Sequence, residues 1–141
     1  MKKLIVLLAL LSAVVLTTVG CLVPKLPKGF DEQVLYDAGV EVIDQLNSRD
    51  YQGVEDKVRD DFKEEMSAEG LQEFFDTILD QYGPYKSLNS YTVYGASDSN
   101  YPDEDFGSVC IIVVHEDKNL TYEITFDLDM RIVGLYIYQS I

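Results

Sequence analysis

The fold is decided by residues 106–141, which read FGSVCIIVVHEDKNLTYEITFDLDMRIVGLYIYQSI. Residues 107–115 are apolar at nearly every position, which is typical of a central strand covered on both faces. Residues 120–128 alternate apolar and polar side chains, the pattern of a half-buried strand that ends with Leu128. Residues 132–140 form the last strand. Because the connections are only a few residues long, the three strands must pair antiparallel.

The preceding residues are organised as helices. Apolar residues recur at spacings of three and four in three stretches, 34–46, 51–62 and 71–82, which predicts three amphipathic helices. Asp31 and Ser67 are placed to cap the first and third helices. Gly83 and Pro84 end the third helix.

One more strand lies between the helices and the final stretch. Residues 88–96 are rich in Tyr, Thr and Val, and the polar residues 97–105 form a loop after them. The fold class is therefore α+β, with three N-terminal helices packed on a four-stranded antiparallel sheet. We expect one domain, over residues 30–141.

The composition excludes some classes of partner. Of 141 residues, 25 are acidic and 11 are basic, a formal net charge of −14. Such a surface repels the phosphates of nucleic acids, so we expect no nucleic-acid partner. The cysteines are Cys21 and Cys110, and because Cys21 lies in the leader region no disulfide within the domain is predicted.

Residues 1–20 have the layout of a secretory signal peptide, a basic start followed by an apolar run over residues 4–16. The end of this run, Gly20 followed by Cys21, resembles the lipobox of bacterial lipoproteins. In that family the cysteine thiol receives a diacylglyceryl group and becomes the first residue after cleavage. The resemblance implies lipidation of Cys21 and attachment to the outer face of the cell membrane through this anchor.

Two other interpretations of the leader stay open. Residues 4–23 are long enough to cross a bilayer uncut, and cleavage at another bond would release the protein. Residues 21–29 contain Pro24 and Pro27 and are expected to form a short, semi-stiff tether that holds the domain within roughly 25 Å of the membrane.

Several turn and strand-end motifs carry a second resemblance. They are SRDY at 48–51, YGPY at 82–85, FDLD at 126–129 and IVGL at 132–135. On these motifs, residues 31–141 resemble the bacterial domain of unknown function 3887, within the nuclear transport factor 2-like (cystatin-like) superfamily. The family often has Gly in the last turn, where Met130 or Arg131 stands here.

The resemblance implies a cone in which helices pack on a curved antiparallel sheet. The superfamily includes small-molecule binders, dimerising modules, a few isomerases and dehydratases, and domains of cell-envelope enzymes, so the fold implies little about function. The matching motifs are structural and carry no catalytic residue over. We expect a non-catalytic domain that binds another protein, a second copy of the chain or a small apolar ligand. The alternatives are a small pocket acid/base enzyme of the isomerase type and a structural accessory module of the cell envelope.

Cys110 and His115 form the thiol–imidazole pair of the domain. Their odd separation puts them on opposite faces of one strand, which excludes a nucleophile–base dyad. We predict that Cys110 is a small core residue and that His115 is exposed. A single His cannot build a zinc site, and the acidic loop at 97–105 lacks the pattern of a calcium loop, so we expect no metal and no cofactor.

Tyr94, Tyr136 and Tyr138 are the candidate partner surface. Tyr136 and Tyr138 share one face of the last strand, and if the helices cover the other face these rings stay available. Tyr is enriched at protein interfaces, although packing within the sheet is the alternative explanation. Glu123 and Asp127 lie opposite the apolar row of their strand and are expected to face outward.

Overall fold

The computed structural model describes residues 23–140, so the leader and Cys21 lie outside the described residues. The helical part comprises α1 (Glu32–Asn47), α2 (Tyr51–Glu55), a 3-10 turn (Asp60–Phe62) and α3 (Ala68–Tyr82). The strands are β1 (Tyr85–Ala96), β2 (Phe106–His115), β3 (Asn119–Phe126) and β4 (Ile132–Gln139). They form one antiparallel sheet in the order β1-β2-β3-β4. The predicted α+β class, with helices before a four-stranded antiparallel sheet, is confirmed.

The two long helices begin and end as predicted. The Asp31 carboxylate accepts the N–H of Val34 at 3.0 Å, and the Ser67 hydroxyl accepts the N–H of Gly70 at 3.1 Å. Gly83 follows α3 with a φ of 70°, a backbone conformation that favours glycine. Among the described residues, no helix combines the length and the apolar character that a membrane crossing requires.

The second helix is shorter than predicted. It ends at Glu55, because the backbone beyond it pairs with the start of β4. The N–H of Arg59 donates to the carbonyl of Ile132 at 2.9 Å, and the N–H of Ile132 donates to the carbonyl of Lys57 at 2.8 Å. The apolar residues Val58 and Phe62 are still buried, but by a short parallel bridge and a 3-10 turn.

The core lies between the helices and one face of the sheet. Tyr122 of β3 is buried against Phe75 of α3, with ring centroids 6.1 Å apart. Helix α1 crosses the sheet closely at Gly39, where a Cβ would lie 2.8 Å from Cγ1 of Val109. Glycine is therefore required at this crossing by the approach of helix and sheet, since any side chain would push them apart.

The end of β3 differs from the prediction. The strand stops at Phe126, Leu128 is 52% exposed, and Asp127 is buried instead of outward-facing. The Oδ1 atom of Asp127 accepts the backbone N–H groups of Asp129 and Arg131 at 3.0 and 2.9 Å, so its side chain builds the turn. Met130 has a φ of 59° in this turn, a backbone conformation that glycine adopts more readily than other residues.

The expected tether does not stay clear of the domain. The carbonyl of Pro24 accepts the N–H of Gly95 on the outer edge of β1 at 2.9 Å, and Phe30 packs over Gly107 of β2. Contact with the sheet therefore begins at Pro24, well before the predicted domain start at residue 30.

Candidate functional site

The helices leave one face of the sheet without cover. We call it the helix-free face and define it by the strand residues that alternate with the helix-side residues. Pairing of the strands places these side chains side by side in cross-strand rows. The exposed or half-buried residues of the face are Ser90, Thr92 and Tyr94 of β1, Cys110, Ile112 and Val114 of β2, Glu123 of β3, and Tyr136 and Tyr138 of β4. Between them lie four buried residues of the same rows, Ser108, Thr121, Thr125 and Gly134.

Glu123 lies near the middle of the helix-free face. It is directly opposite Cys110 on one side and Tyr136 on the other. The hydroxyl of Tyr138 donates to Oε2 of Glu123 at 3.4 Å and lies 3.8 Å from the Cys110 sulfur. Tyr94 lies near Glu123 on the β1 side and interacts with it. The carboxylate thus accepts a long hydrogen bond from one edge strand and has a tyrosine of the other edge strand nearby.

The ionisable groups around Glu123 stay protonated at neutral pH. Burial, followed by the hydrogen bond to Glu123, raises the pKa of Tyr94. Burial and the contact with Cys110 raise the pKa of Tyr138. Burial also raises the pKa of the Cys110 thiol, against a smaller opposing effect of its hydrogen bond to Tyr138. The face therefore presents hydroxyls, a thiol and one half-buried carboxylate.

The three tyrosines predicted from the sequence share this face. Tyr94 lies on one edge strand and Tyr136 and Tyr138 lie on the other. Tyr138 is 47% exposed, whereas Tyr94 and Tyr136 are half-buried. Glu123 lies opposite the apolar row of its strand, as predicted, but the sequence analysis did not include it in the candidate surface, although the short turns fix the register that places Glu123 beside Tyr136.

Cys110 and His115 lie on opposite faces, as their odd separation predicts, but both other expectations about them are wrong. Cys110 is half-exposed on the helix-free face and is not a core residue. His115 is 2% exposed, because its ring points into the helix side of the sheet beneath the end of α3. There it bonds the carbonyl of Gly83 and the hydroxyl of Tyr122.

The protonation of His115 follows from these partners. A carbonyl can only accept, so Nδ1 donates to Gly83 at 2.7 Å, and Nε2 accepts from the hydroxyl of Tyr122 at 2.8 Å. Burial lowers the pKa of His115, against a smaller effect of the Gly83 bond. Since both ring nitrogens are already bonded, His115 is a neutral structural residue with a fixed tautomer.

Arg59 lies at the centre of a second cluster of polar side chains. It is 8% exposed, and its guanidinium binds Asp61 through two bonds of 2.8 and 3.1 Å and Glu104 through one of 2.7 Å. The charge also lies 5.2 Å from the ring centroid of Phe62 and 5.1 Å from that of Tyr101. These contacts tie the 3-10 turn to the loop before β2, which is a structural role.

The sequence analysis expected no metal site. Over residues 23–140, no group of three or more His, Cys, Asp or Glu side chains could hold a metal ion. In the acidic loop, Asp98 is buried and its carboxylate accepts the N–H of Asn100 at 2.8 Å, so it stabilises the loop itself.

The comparisons with known proteins give a family and a fold. No curated protein matches the chain. A solved structure, the NMR structure of a protein from Ruminococcus gnavus ATCC 29149, is similar with 25% sequence identity and a TM-score of 0.69. The similarity covers 81% of this chain and 96% of that one. The family described as protein of unknown function (DUF3887) matches residues 40–135, more than half of the chain. The chain therefore belongs to the DUF3887 family.

Proposed function

We propose that this protein is anchored by lipid to the outer face of the cell membrane and that its domain binds another protein through the helix-free face, without catalysing a reaction. One observation carries the proposal. Glu123 is the one charged residue among the described residues that define the helix-free face, in a chain with a net charge of −14. An acidic protein that keeps one broad face almost free of charge has a surface that a partner can cover at little electrostatic cost.

The chemistry of the face indicates what the partner must provide. Covering the face would remove the Glu123 carboxylate from water, and a buried charge is costly unless it is paired. Tyr138 supplies a hydrogen bond and Tyr94 lies nearby, but neither carries a positive charge. A partner with a Lys or Arg side chain at the centre of its own patch would complete the site.

This requirement favours a different protein over a second copy of the chain. None of the residues that define the helix-free face is a Lys or Arg, so a symmetric dimer through these residues would bury two carboxylates without a cation among them. Its size also favours a weak contact. Four strands of about eight residues, spaced about 4.8 Å apart, cover roughly 500 Å², less than the roughly 800 Å² per partner of a standard interface.

The state of the reactive residues favours binding over catalysis. The raised pKa of the Cys110 thiol keeps it protonated and weakly nucleophilic. Both nitrogens of His115 are engaged on the opposite face of the sheet. Neither residue is prepared for nucleophilic or acid–base chemistry.

We also propose that the domain is a nuclear transport factor 2-like cone. Register shifts occur in β1, between Tyr85 and Ser87 and between Leu88 and Ser90, and between Thr125 and Phe126 in the β3–β4 pairing. Bulges of this kind bend strands and increase their twist, which supports a sheet that curves around the helices.

The anchor is tested separately from the face. Intact mass spectrometry of protein from the membrane fraction of a bacterial host should give a chain that starts at Cys21 and carries acyl groups. The Cys21→Ala variant should lose them and should not be processed at this bond. An unmodified Cys21 in the parent protein, whether from an uncut leader or from a released chain, would refute the anchor.

The face is tested by photocrosslinking in the native host. A photoreactive phenylalanine analogue at Tyr138 should form one discrete adduct with a second protein, and Glu123→Lys should abolish it. The same analogue at Val34, which is 49% exposed on α1, is the control and should not form that adduct. Equal crosslinking at both positions, or an adduct between two copies of the chain, would contradict the proposal.

A further inference from the structure

The stretch from Pro24 to Phe30, which we call the docked segment, is fixed to one end of the sheet. Its first carbonyl bonds the edge of β1 at Gly95, 2.9 Å away. A Cβ at Gly95 would lie 2.5 Å from the carbonyl oxygen of Lys25, so only glycine permits this close approach. At the other end of the segment, Phe30 covers Gly107, and Gly29 turns with a φ of 96° against Leu128.

The docking shortens the free chain between the domain and Cys21. Only Leu22 and Val23 lie between Cys21 and Pro24, and an extended chain spans at most about 3.5 Å per residue. Pro24 therefore lies within about 10 Å of the Cys21 backbone. If Cys21 carries the lipid, as the proposed function requires, the end of the sheet beside Gly95 is held at the membrane surface.

The side chains at this end suit a lipid surface. Val23 and Leu128 are 57% and 52% exposed, and both are large apolar residues. Lys25 and Lys28 are exposed on the docked segment, which contains no acidic residue. Exposed lysines attract anionic headgroups and exposed apolar side chains insert at the headgroup boundary.

This end of the sheet is not basic as a whole, because the loop between β1 and β2 exposes Asp103 and Asp105 there. The contact with lipid therefore depends on the exposed apolar side chains and on the nearby anchor more than on charge. Asp127 is buried and paired with Arg59 and Arg131, and Asp129 is paired with Arg131 at 3.3 Å. The opposite end of the sheet differs in its apolar content, because the β2–β3 turn exposes Glu116, Asp117 and Lys118 there and no large apolar side chain.

We propose that the end of the sheet formed by the docked segment and Leu128 rests on the lipid headgroups, so that the strands stand away from the membrane. The β2–β3 turn then points outward, about 26 Å away, the length of an eight-residue strand. The helix-free face is turned sideways. A partner reaches it along the membrane surface, which fits a protein that is itself bound to the membrane.

Fluorescence quenching tests this orientation in the full lipidated protein, reconstituted in vesicles of phosphatidylcholine and phosphatidylglycerol. A Cys110→Ser background allows one fluorophore to be placed at Leu128→Cys or, as the matched control, at Asp117→Cys. Spin-labelled headgroups should quench the fluorophore at position 128 and leave that at position 117 unquenched. Equal quenching at both positions would overturn the orientation.

Vesicle flotation, measured on the same samples, separates this failure from failure of the anchor. Protein that floats but shows equal quenching is anchored without a fixed orientation. Protein that does not float lacks the anchor, and the proposed function fails with it.

A second variant tests the docked segment as the cause. Gly95→Ala places a Cβ against the Lys25 backbone and should release the segment, so that flotation is kept and the quenching contrast between positions 128 and 117 is lost. Gly70→Ala, far from the segment in α3, should keep the contrast, and circular dichroism shows whether each variant is folded. A contrast that survives Gly95→Ala would contradict the role of the segment.

Discussion

Asp127 holds the last turn of the sheet and contributes to a buried ion pair. Its Oδ1 atom accepts two backbone N–H groups of the turn, and its Oδ2 atom receives Arg131 at 3.1 Å and Arg59 at 3.5 Å. Strand alternation alone places this carboxylate outside. Instead the side chain binds the turn after β3, and two arginines make its burial stable.

We therefore predict that Asp127→Ala lowers the free energy of unfolding by about 3 kcal/mol, because it leaves two N–H groups of the turn without an acceptor and removes a carboxylate shared by Arg59 and Arg131. Asp129→Ala is the matched control. Its carboxylate is 80% exposed and pairs only with Arg131, so we expect a loss below about 1 kcal/mol. Urea unfolding measures both, and equal losses would show that Asp127 is not the organising residue.

The buried His115 makes stability depend on pH. Burial lowers its pKa in the folded state, whereas in the unfolded chain it titrates near 6.5. Below that pH the unfolded state binds the proton first, so the free energy of unfolding falls by up to about 1.4 kcal/mol per pH unit. Asp61 and Asp76 have a lowered pKa in the folded state. Their protonation therefore reduces the free energy of unfolding only below about pH 4.

Because the chain contains a single histidine, one variant isolates the effect. Between pH 7 and pH 5 the stability of the parent protein should fall on acidification, and that of His115→Gln should change much less. The slopes of unfolding free energy against pH are compared, so a uniform loss of stability in the variant does not interfere. Identical slopes would mean that His115 takes up its proton in the folded state.

At the scale of elements, α1 depends on its contact with the sheet at Gly39. Replacing glycine by alanine in a helix ordinarily raises the free energy of unfolding by up to about 1 kcal/mol. At Gly39 the new Cβ would meet Val109 at 2.8 Å and Ile111 at 3.1 Å, and such overpacking costs about 1–3 kcal/mol. We predict that Gly39→Ala is destabilising in thermal unfolding.

Gly70→Ala provides the comparison, since its Cβ would meet only the Ser67 hydroxyl at 3.2 Å. We expect this change to be close to neutral. If the two variants have the same stability, α1 does not approach the sheet as closely as the structure indicates.

The elements themselves were largely predictable because their signals are local. Asp31 and Ser67 are caps, Gly83 is a stop, and β3 alternates, all within a few residues. The predicted second helix was too long. Its end is set by the pairing of Val58 with Ile132, two residues that are distant in sequence, and such a pairing leaves no periodic signal.

At the scale of the whole molecule, the fold class followed from the order of the elements, but the environments of polar side chains did not. His115 is buried because the end of α3 covers the strand end, and sequence spacing does not show which helix reaches which strand. The candidate face was only partly predictable. Tyr94, Tyr136 and Tyr138 were identified by alternation, whereas the role of Glu123 emerged only when both edge strands were placed beside it.

The central claim is that the helix-free face binds a partner through Glu123, and the affinity of the crosslinked partner for the purified domain tests it most directly. We predict that Glu123→Gln raises the Kd at least about 30-fold, the effect of removing one member of a buried charge pair. Val34→Ala, on the helical side, should leave the Kd unchanged. An unchanged Kd for Glu123→Gln would contradict the account.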